Sequence, residues 1–296
     1  MAKLNKNLKT LARQAGGSFK TVSDRMKIAD RFAERLLKLN VQIRDIKNIK
    51  TGHIELYMKS RLSEDISRRT LQNEMAAIRA LLRVAGKTFM ANPSHDKLSN
   101  QALGISETSR DGTKVAIPDA YFRQVLTSVE QKDDGVACAM RLSRLLGLRT
   151  EETVQSAKSL RTWKKALLNG DEKIRVVFGT KGGRPRDTTV LDRESTLAAI
   201  NASLKHLNEN NGKLIDKPSL HTAIERYRNV VRESGLTGKY APHSLRYAYS
   251  VDVMNYHMKR GFTKEEAQAL ASMDLGHGDG RGQYVARVYN KVEGNE

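Results

Sequence analysis

Between Phe19 and Leu36 the apolar residues Phe19, Val22, Met26, Ala29, Phe32 and Leu36 recur at spacings of three and four. That period places them on one face of a helix and leaves the other face to basic residues. The same pattern returns in "TGHIELYMKSRL", through Ile54, Tyr57, Met58 and Leu62, and in "TLQNEMAAIRALLRVAG", through Leu71, Met75, Ile78 and Leu82, with Gly86 as its stop. The front of the chain is therefore expected to be a small all-helical bundle. The opening "MAKLNKNLKTLARQAGGSFK" carries positive charge but no continuous apolar block, so it reads as a basic arm or a short helix and not as a secretion signal.

Charge narrows the partner. The 296 residues hold 52 Lys and Arg against 33 Asp and Glu, a net +19. Residues 1–92 alone carry 20 basic and 8 acidic side chains, or +12. A field of that sign draws in a polyanion, so nucleic acid leads and an anionic membrane follows far behind. No stretch approaches the ~20 apolar residues of a membrane span. Cys138 is the one cysteine, so an internal disulfide and a cysteine-based zinc site are excluded, which suits a reducing cytoplasm.

The texture changes at residues 93–117, where "PSHDKLSNQALGISETSRDGTKVAI" is rich in Ser, Asn, Asp and Gly and has no sustained period. It reads as a linker between a domain at 1–92 and one at 118–296. Pro118 opens a helix, "DAYFRQVLTSVE", and "DGVACAMRLSRLLGLR" is helical to about Leu146 with Gly147 as its end. Within 161–191 the runs "TWKKALL", "EKIRVVFGT" and "RDTTVL" are β-prone, and "KGGRPR" supplies the glycines of a hairpin turn. Helical patterns resume in "RESTLAAINASLKHLNEN", "SLHTAIERYRNVVRESG", "PHSLRYAYSVDVMNYHMKRG", "TKEEAQALASMD" and "QYVARVYNKV". The fold class expected is predominantly α with a small antiparallel sheet.

Five features fall in order along this second region: "GLRTEE" at a helix end, "TKGG" in the hairpin, "HSLR" opening a helix, "LGH" after another, and a tyrosine near the C-terminus. Together they resemble the tyrosine recombinase, or phage integrase, family. The resemblance covers most of the chain: 118–296 look like the catalytic domain and the helical front like the DNA-clamping core-binding domain.

The chemistry of each residue suits that resemblance. A guanidinium holds two phosphate oxygens at once and stabilises the charge that grows on them, a task that fits Arg149 and Arg246. Taken alone, Arg149 would read as an ion pair with Glu152 three residues on. The match of "GLRxxE" to the family implies instead that the arginine binds the scissile phosphate and Glu152 buttresses the site. His243 and Arg246 follow Pro242, so they share one face near a helix N-terminus, where anions bind readily. A second pair with the same spacing, His257 and Arg260, lies at the far end of that helix before Gly261, where positive groups offset the helix dipole. The family resemblance implies that Lys181 donates a proton to the leaving 5′ oxygen and that His277 hydrogen-bonds the phosphate.

The nucleophile is chosen between two tyrosines. The family usually places it nine residues after the "LGH" histidine, whereas Tyr284 is seven away and Tyr289 twelve. Tyr289 is the first choice, because "GDGRG" can loop out extra residues and "VYNKV" resembles the family's tyrosine-helix ending. Tyr284 is the second.

The resemblance implies a site-specific DNA recombinase of a mobile element. It would cleave and rejoin DNA through a 3′-phosphotyrosyl bond, as a dimer on one recombination site and a tetramer in the synaptic complex, with accessory DNA-bending proteins as further partners. No metal and no cofactor are expected, since the histidines lack ligand spacing and "GTKGG" lacks the spacing of a nucleotide loop. The rival readings are a type IB topoisomerase-like relaxing activity and a catalytically silent DNA-binding accessory protein.

Overall fold

The computed structural model describes residues 2–109 and 111–292, and the chain divides into two compact units, 1–109 and 110–296. The first unit holds α1 (Ala2–Gln14), α2 (Phe19–Lys38), α3 (Thr51–Leu62) and α4 (Arg68–Val84). Ser18 and Ser67 cap α2 and α4, each hydroxyl accepting from the backbone N–H three residues on. Leu8, Phe32, Leu36, Ile54, Tyr57, Met75 and Ile78 close the core, with Phe32 and Tyr57 edge to face at 4.8 Å. The opening segment is thus a helix and not an arm, because Leu4, Leu8 and Leu11 give it an apolar face to bury. Phe19 departs from the expected stripe and is 91% exposed.

At the centre of this unit the Glu74 carboxylate is buried and accepts from Tyr57 at 2.8 Å and from Arg61 at 2.8 and 3.1 Å, with Arg31 at 2.5 Å. Burial alone would raise its pKa. The hydrogen bonds from Arg61, Tyr57 and Arg31 more than offset that and hold it below the usual carboxylate range.

The stretch expected as a linker contributes to both units. Leu98, Leu103 and Ile105 are buried in the first core, and Ala116 and Ile117 in the second. Consecutive turns, having no helical or strand period, hide these anchors in the sequence.

The second unit begins with α5 (Asp119–Glu130) and α6 (Asp134–Leu146), followed by the short α7 (Thr150–Gln155) and by α8 (Leu160–Leu168). The α8 segment contains "TWKKALL", a run expected as β-prone that is helical instead. Leu160, Trp163 and Leu167 are buried along one helical face, and the Trp163 indole donates to the Arg175 carbonyl at 2.8 Å. The two remaining β-prone runs pair as expected, β1 (Lys173–Val176) antiparallel to β2 (Arg186–Thr189), with Lys173 opposite Thr189 and Val176 opposite Arg186. The chain continues through α9 (Arg193–Glu209), α10 (Leu220–Glu233), α11 (Ser244–Lys259), α12 (Lys264–Asp274) and α13 (Gly282–Tyr289). Buried on most of its surface, α11 packs against α6, α12 and α13. Mostly helical with one two-stranded sheet among the described residues, the architecture agrees with the expected class. Among those residues no helix is long and apolar enough to cross a membrane.

Candidate active site

Gly147 ends α6 in the left-handed region, at φ 58°, and turns the chain so that Arg149 stands at the start of α7. From there Arg149 Nη1 meets Glu152 Oε1 at 2.7 Å, and Nη2 donates to the Leu275 carbonyl at 3.0 Å. The ion pair with Glu152 and the position in the site thus coexist. Only 1% exposed, Glu152 serves more than this partner. Arg186 Nη2 lies 2.8 Å from it and Arg246 Nη1 4.0 Å. Burial would raise the Glu152 pKa, but Arg186, Arg246 and Arg149 together bring it down to about 2. Three guanidiniums share one obligatory anion.

Arg246 has no solvent-exposed surface. Its guanidinium donates to two main-chain carbonyls, those of Gly147 and Leu275, while its Nε has no hydrogen-bond partner. Burial, then Arg149 and Arg186, lower its pKa to about 9, so it stays charged at neutral pH. Arg186 is a site residue that the sequence motifs do not single out. It projects from β2, donates to the carbonyls of Gly147 and Asp274, and is 5% exposed. The available signal is its strand position two residues after Arg184, since a β-prone arginine beside a hairpin turn has one face of the sheet to point into.

The histidines and the tyrosine meet over this cluster. Nε2 of His243 is 3.4 Å from the Tyr289 hydroxyl, and Nε2 of His277 is 3.3 Å from it. The Arg246 guanidinium carbon lies over the Tyr289 ring, 5.7 Å from the ring centroid, and that ring is packed against Tyr247. Burial, reinforced by Arg246 and Arg149, pushes His243 down to about 4 and His277 down to about 3, so both rings are neutral at pH 7. A hydroxyl donates once. One imidazole therefore accepts the Tyr289 proton while the other, as its Nε2–H tautomer, donates to the phenol oxygen.

Tyr284 is placed otherwise. It packs against the core, with the His277 ring 5.8 Å away on one side and Arg281 5.9 Å from its own ring. Lys181 sits at the exposed tip of the hairpin and lines, with Arg149, Arg184, His277 and Arg281, an open cationic cleft of about 930 Å³. The second histidine–arginine pair is apart from this cluster. His257 bonds Asp274, and Arg260 bonds Glu172 and Tyr256. The His257 side chain in the last turn of α11 is thus held by a carboxylate on the next helix.

Guanidiniums, neutral imidazoles and a phenol at the edge of a basic cleft define a site suited to handling a phosphodiester, on a mostly helical scaffold. Family models agree with that class. One described as "Integrase" matches residues 104–252, and one described as "Phage integrase, N-terminal" matches residues 1–91. The chain belongs to the phage integrase family of tyrosine recombinases. Among solved structures it is similar to a lambda integrase tetramer bound to a Holliday junction, at 16% identity and a TM-score of 0.56, covering 99% of this chain and 79% of that one. It is similar also to XerH site-specific recombinase bound to a palindromic difH substrate, a post-cleavage complex, at 13% identity, TM-score 0.61, and coverage of 97% and 82%. A third is the Tn1549 transposon integrase in complex with transposon right-end DNA, at 13% identity, TM-score 0.60, and coverage of 97% and 95%. No curated protein matches the chain in sequence.

Proposed function

We propose that this chain cleaves and rejoins double-stranded DNA at a specific site of a mobile element, with Tyr289 as the nucleophile. The observation that carries the reading is the position of the Tyr289 hydroxyl, within 3.4 Å of two imidazole nitrogens, on a ring that has a buried guanidinium over its face. A neutral imidazole takes the phenolic proton as the oxygen attacks phosphorus. The P–O bond to the 5′ oxygen breaks in line with that attack, and the 3′ phosphate becomes a phosphotyrosyl ester. Because one ester replaces another, the bond energy is retained and the free 5′ hydroxyl can reverse the step.

Arg149 and Arg246 offset the charge that builds on the non-bridging oxygens. Arg246 is fully buried with the Tyr289 ring centroid 5.7 Å from its guanidinium carbon, so a shift of that ring toward its attacking position opens the guanidinium to a phosphate. Lys181, on the hairpin tip beside the cleft, protonates the departing 5′ oxygen. Glu152 keeps three guanidiniums in register and touches no reacting atom. Residues 1–92, with their net +12, clamp the duplex. The working assembly is a tetramer with two protomers on each site, bound at the nucleoid.

A pool of nicked duplexes with a randomised core tests this. Loss of the short fragment beyond the nick traps the cleaved state as a denaturant-resistant protein–DNA adduct, and sequencing the captured strands gives the site. The adduct is expected from the wild type and from Tyr284→Phe, and to be absent from Tyr289→Phe. Loss in Tyr284→Phe alone would move the nucleophile, and no adduct from the wild type would favour an accessory role.

A further inference from the structure

The pair that the catalytic assignments leave aside, His257 and Asp274, is buried directly behind the site. His257 lies in the last turn of α11 and is 5% exposed, while Asp274 is the last residue of α12 and is fully buried. Nε2 of His257 stands 3.1 Å from Oδ2 of Asp274. With Nδ1 buried and unpartnered, Nε2 carries the hydrogen that the carboxylate accepts. The other oxygen, Oδ1, accepts from the Thr189 backbone N–H at 3.1 Å, from its hydroxyl at 2.9 Å and from Lys173 Nζ at 3.3 Å. One carboxylate therefore ties the end of α12 to both strands of the hairpin and to α11.

The tie reaches the site through the main chain of residues 274–277. The Asp274 carbonyl accepts from Arg186, and the next carbonyl, that of Leu275, accepts from both Arg149 and Arg246. Gly276 turns at φ 67° with its backbone against the Arg186 side chain, and His277 comes next. The end of α12 thus carries the acceptors that aim three guanidiniums and the backbone that aims an imidazole. Asp274 is where its side chain anchors this end to the hairpin and to α11.

We infer that His257 and Asp274 are positioning residues for the cleavage step, fixing the Leu275 carbonyl and His277 by locking the C-terminal end of α12. This rests on the proposed function. His257 contributes through a donated hydrogen bond of fixed direction. A residue that fills the same space without a donor leaves Oδ2 buried and unpaired, which frees the end of α12 to seek another partner.

Three full-length proteins test it: wild type, His257→Phe and His257→Gln. Phenylalanine keeps the bulk and loses the donor, whereas the glutamine amide restores an N–H near the Nε2 position. At saturating protein on the nicked duplexes captured by the wild type, His257→Phe is expected to form adduct about 10- to 100-fold more slowly, the cost of a small misplacement of reacting groups. Half-saturation by DNA should stay unchanged, and His257→Gln should recover to within a few-fold of the wild type. A DNA-free measurement accompanies this: amide hydrogen exchange across 272–278 is expected to quicken in His257→Phe and to return in His257→Gln. Wild-type cleavage by His257→Phe, equal loss in both variants, or unchanged exchange across 272–278 would overturn the inference. If the wild type forms no adduct, the proposed function fails, and the exchange result still decides whether the pair locks α12. Should His257→Phe not fold, Asp274→Asn takes its place with the same expected outcomes, since it keeps an acceptor for Thr189 and loses the one facing His257.

Discussion

Nε2 of His277 and the hydroxyl of Tyr289 lie 3.3 Å apart, although twelve residues and a glycine-rich loop separate them in the chain. The short helical turn at Asp279–Arg281 and the start of α13 take up the extra length and return the phenol to the histidine.

Burial of neutral imidazoles makes the second unit sensitive to mild acid. His243 and His277 titrate at about 4 and about 3 in the folded chain, below the ordinary value of 6.5. The unfolded chain therefore binds more protons between those values, so stability is full above pH 6.5 and declines as the pH falls below it. From pH 7 to pH 5 each histidine should cost about 1–2 kcal/mol. Urea unfolding of the wild type across that range, compared with His243→Gln and His277→Gln, reads the loss; a midpoint that rises toward pH 5 contradicts it.

Arg246→Lys tests the geometry of the guanidinium apart from its charge. A lysine ammonium cannot span the carbonyls of Gly147 and Leu275 while presenting a planar edge to phosphate. Adduct formation should fall about 100- to 1000-fold. Wild-type adduct yield from this variant would show that charge alone suffices.

Gly147→Ala should disturb folding and chemistry together. The residue is at φ 58°, and an added Cβ would stand 2.3 Å from Cδ1 of Tyr249, while its carbonyl accepts from Arg246 and Arg186. Left-handed strain and overpacking sum to about 2–4 kcal/mol. The urea midpoint checks this, and an unchanged midpoint contradicts it.

Glu74→Gln should weaken the first unit, because Arg61 and Arg31 would keep their charges around a neutral amide. Breaking a buried pair this way costs about 3–5 kcal/mol. The Glu74 pKa is depressed in the folded chain, so the wild type has this contribution at neutral pH and loses it as acid protonates the carboxylate. Melting curves at pH 7 and pH 4 should therefore differ more for the wild type than for Glu74→Gln.

DNA affinity should fall steeply with salt. Each phosphate neutralised by the basic first unit contributes a slope of about 0.9 in log K against log salt. Titrations of a labelled duplex between 50 and 200 mM salt are expected to lose about 1000-fold or more if six phosphates are engaged. A flat response would remove the clamp.

Residues whose chemistry is exposed by local order are legible in the sequence. Pro242 precedes the helix that carries His243 and Arg246 at its start, and Gly147 marks the turn that presents Arg149. Arg186 is not legible, because its role depends on Glu152 and on main-chain carbonyls 39 and 88 positions away in sequence. The α8 run misleads for a different reason. Trp163 is as much at home in a strand as in a helix, and so short a segment shows barely two turns of the Leu160–Trp163–Leu167 period. His257 looks like a surface charge beside Arg260 because its partner, Asp274, sits on the next helix.

The cradle around Arg246 is built from the oxygens of Gly147 and Leu275, which belong to the main chain. Replacing a side chain at position 275 cannot delete its acceptor, so mutational scanning passes over this part of the machinery.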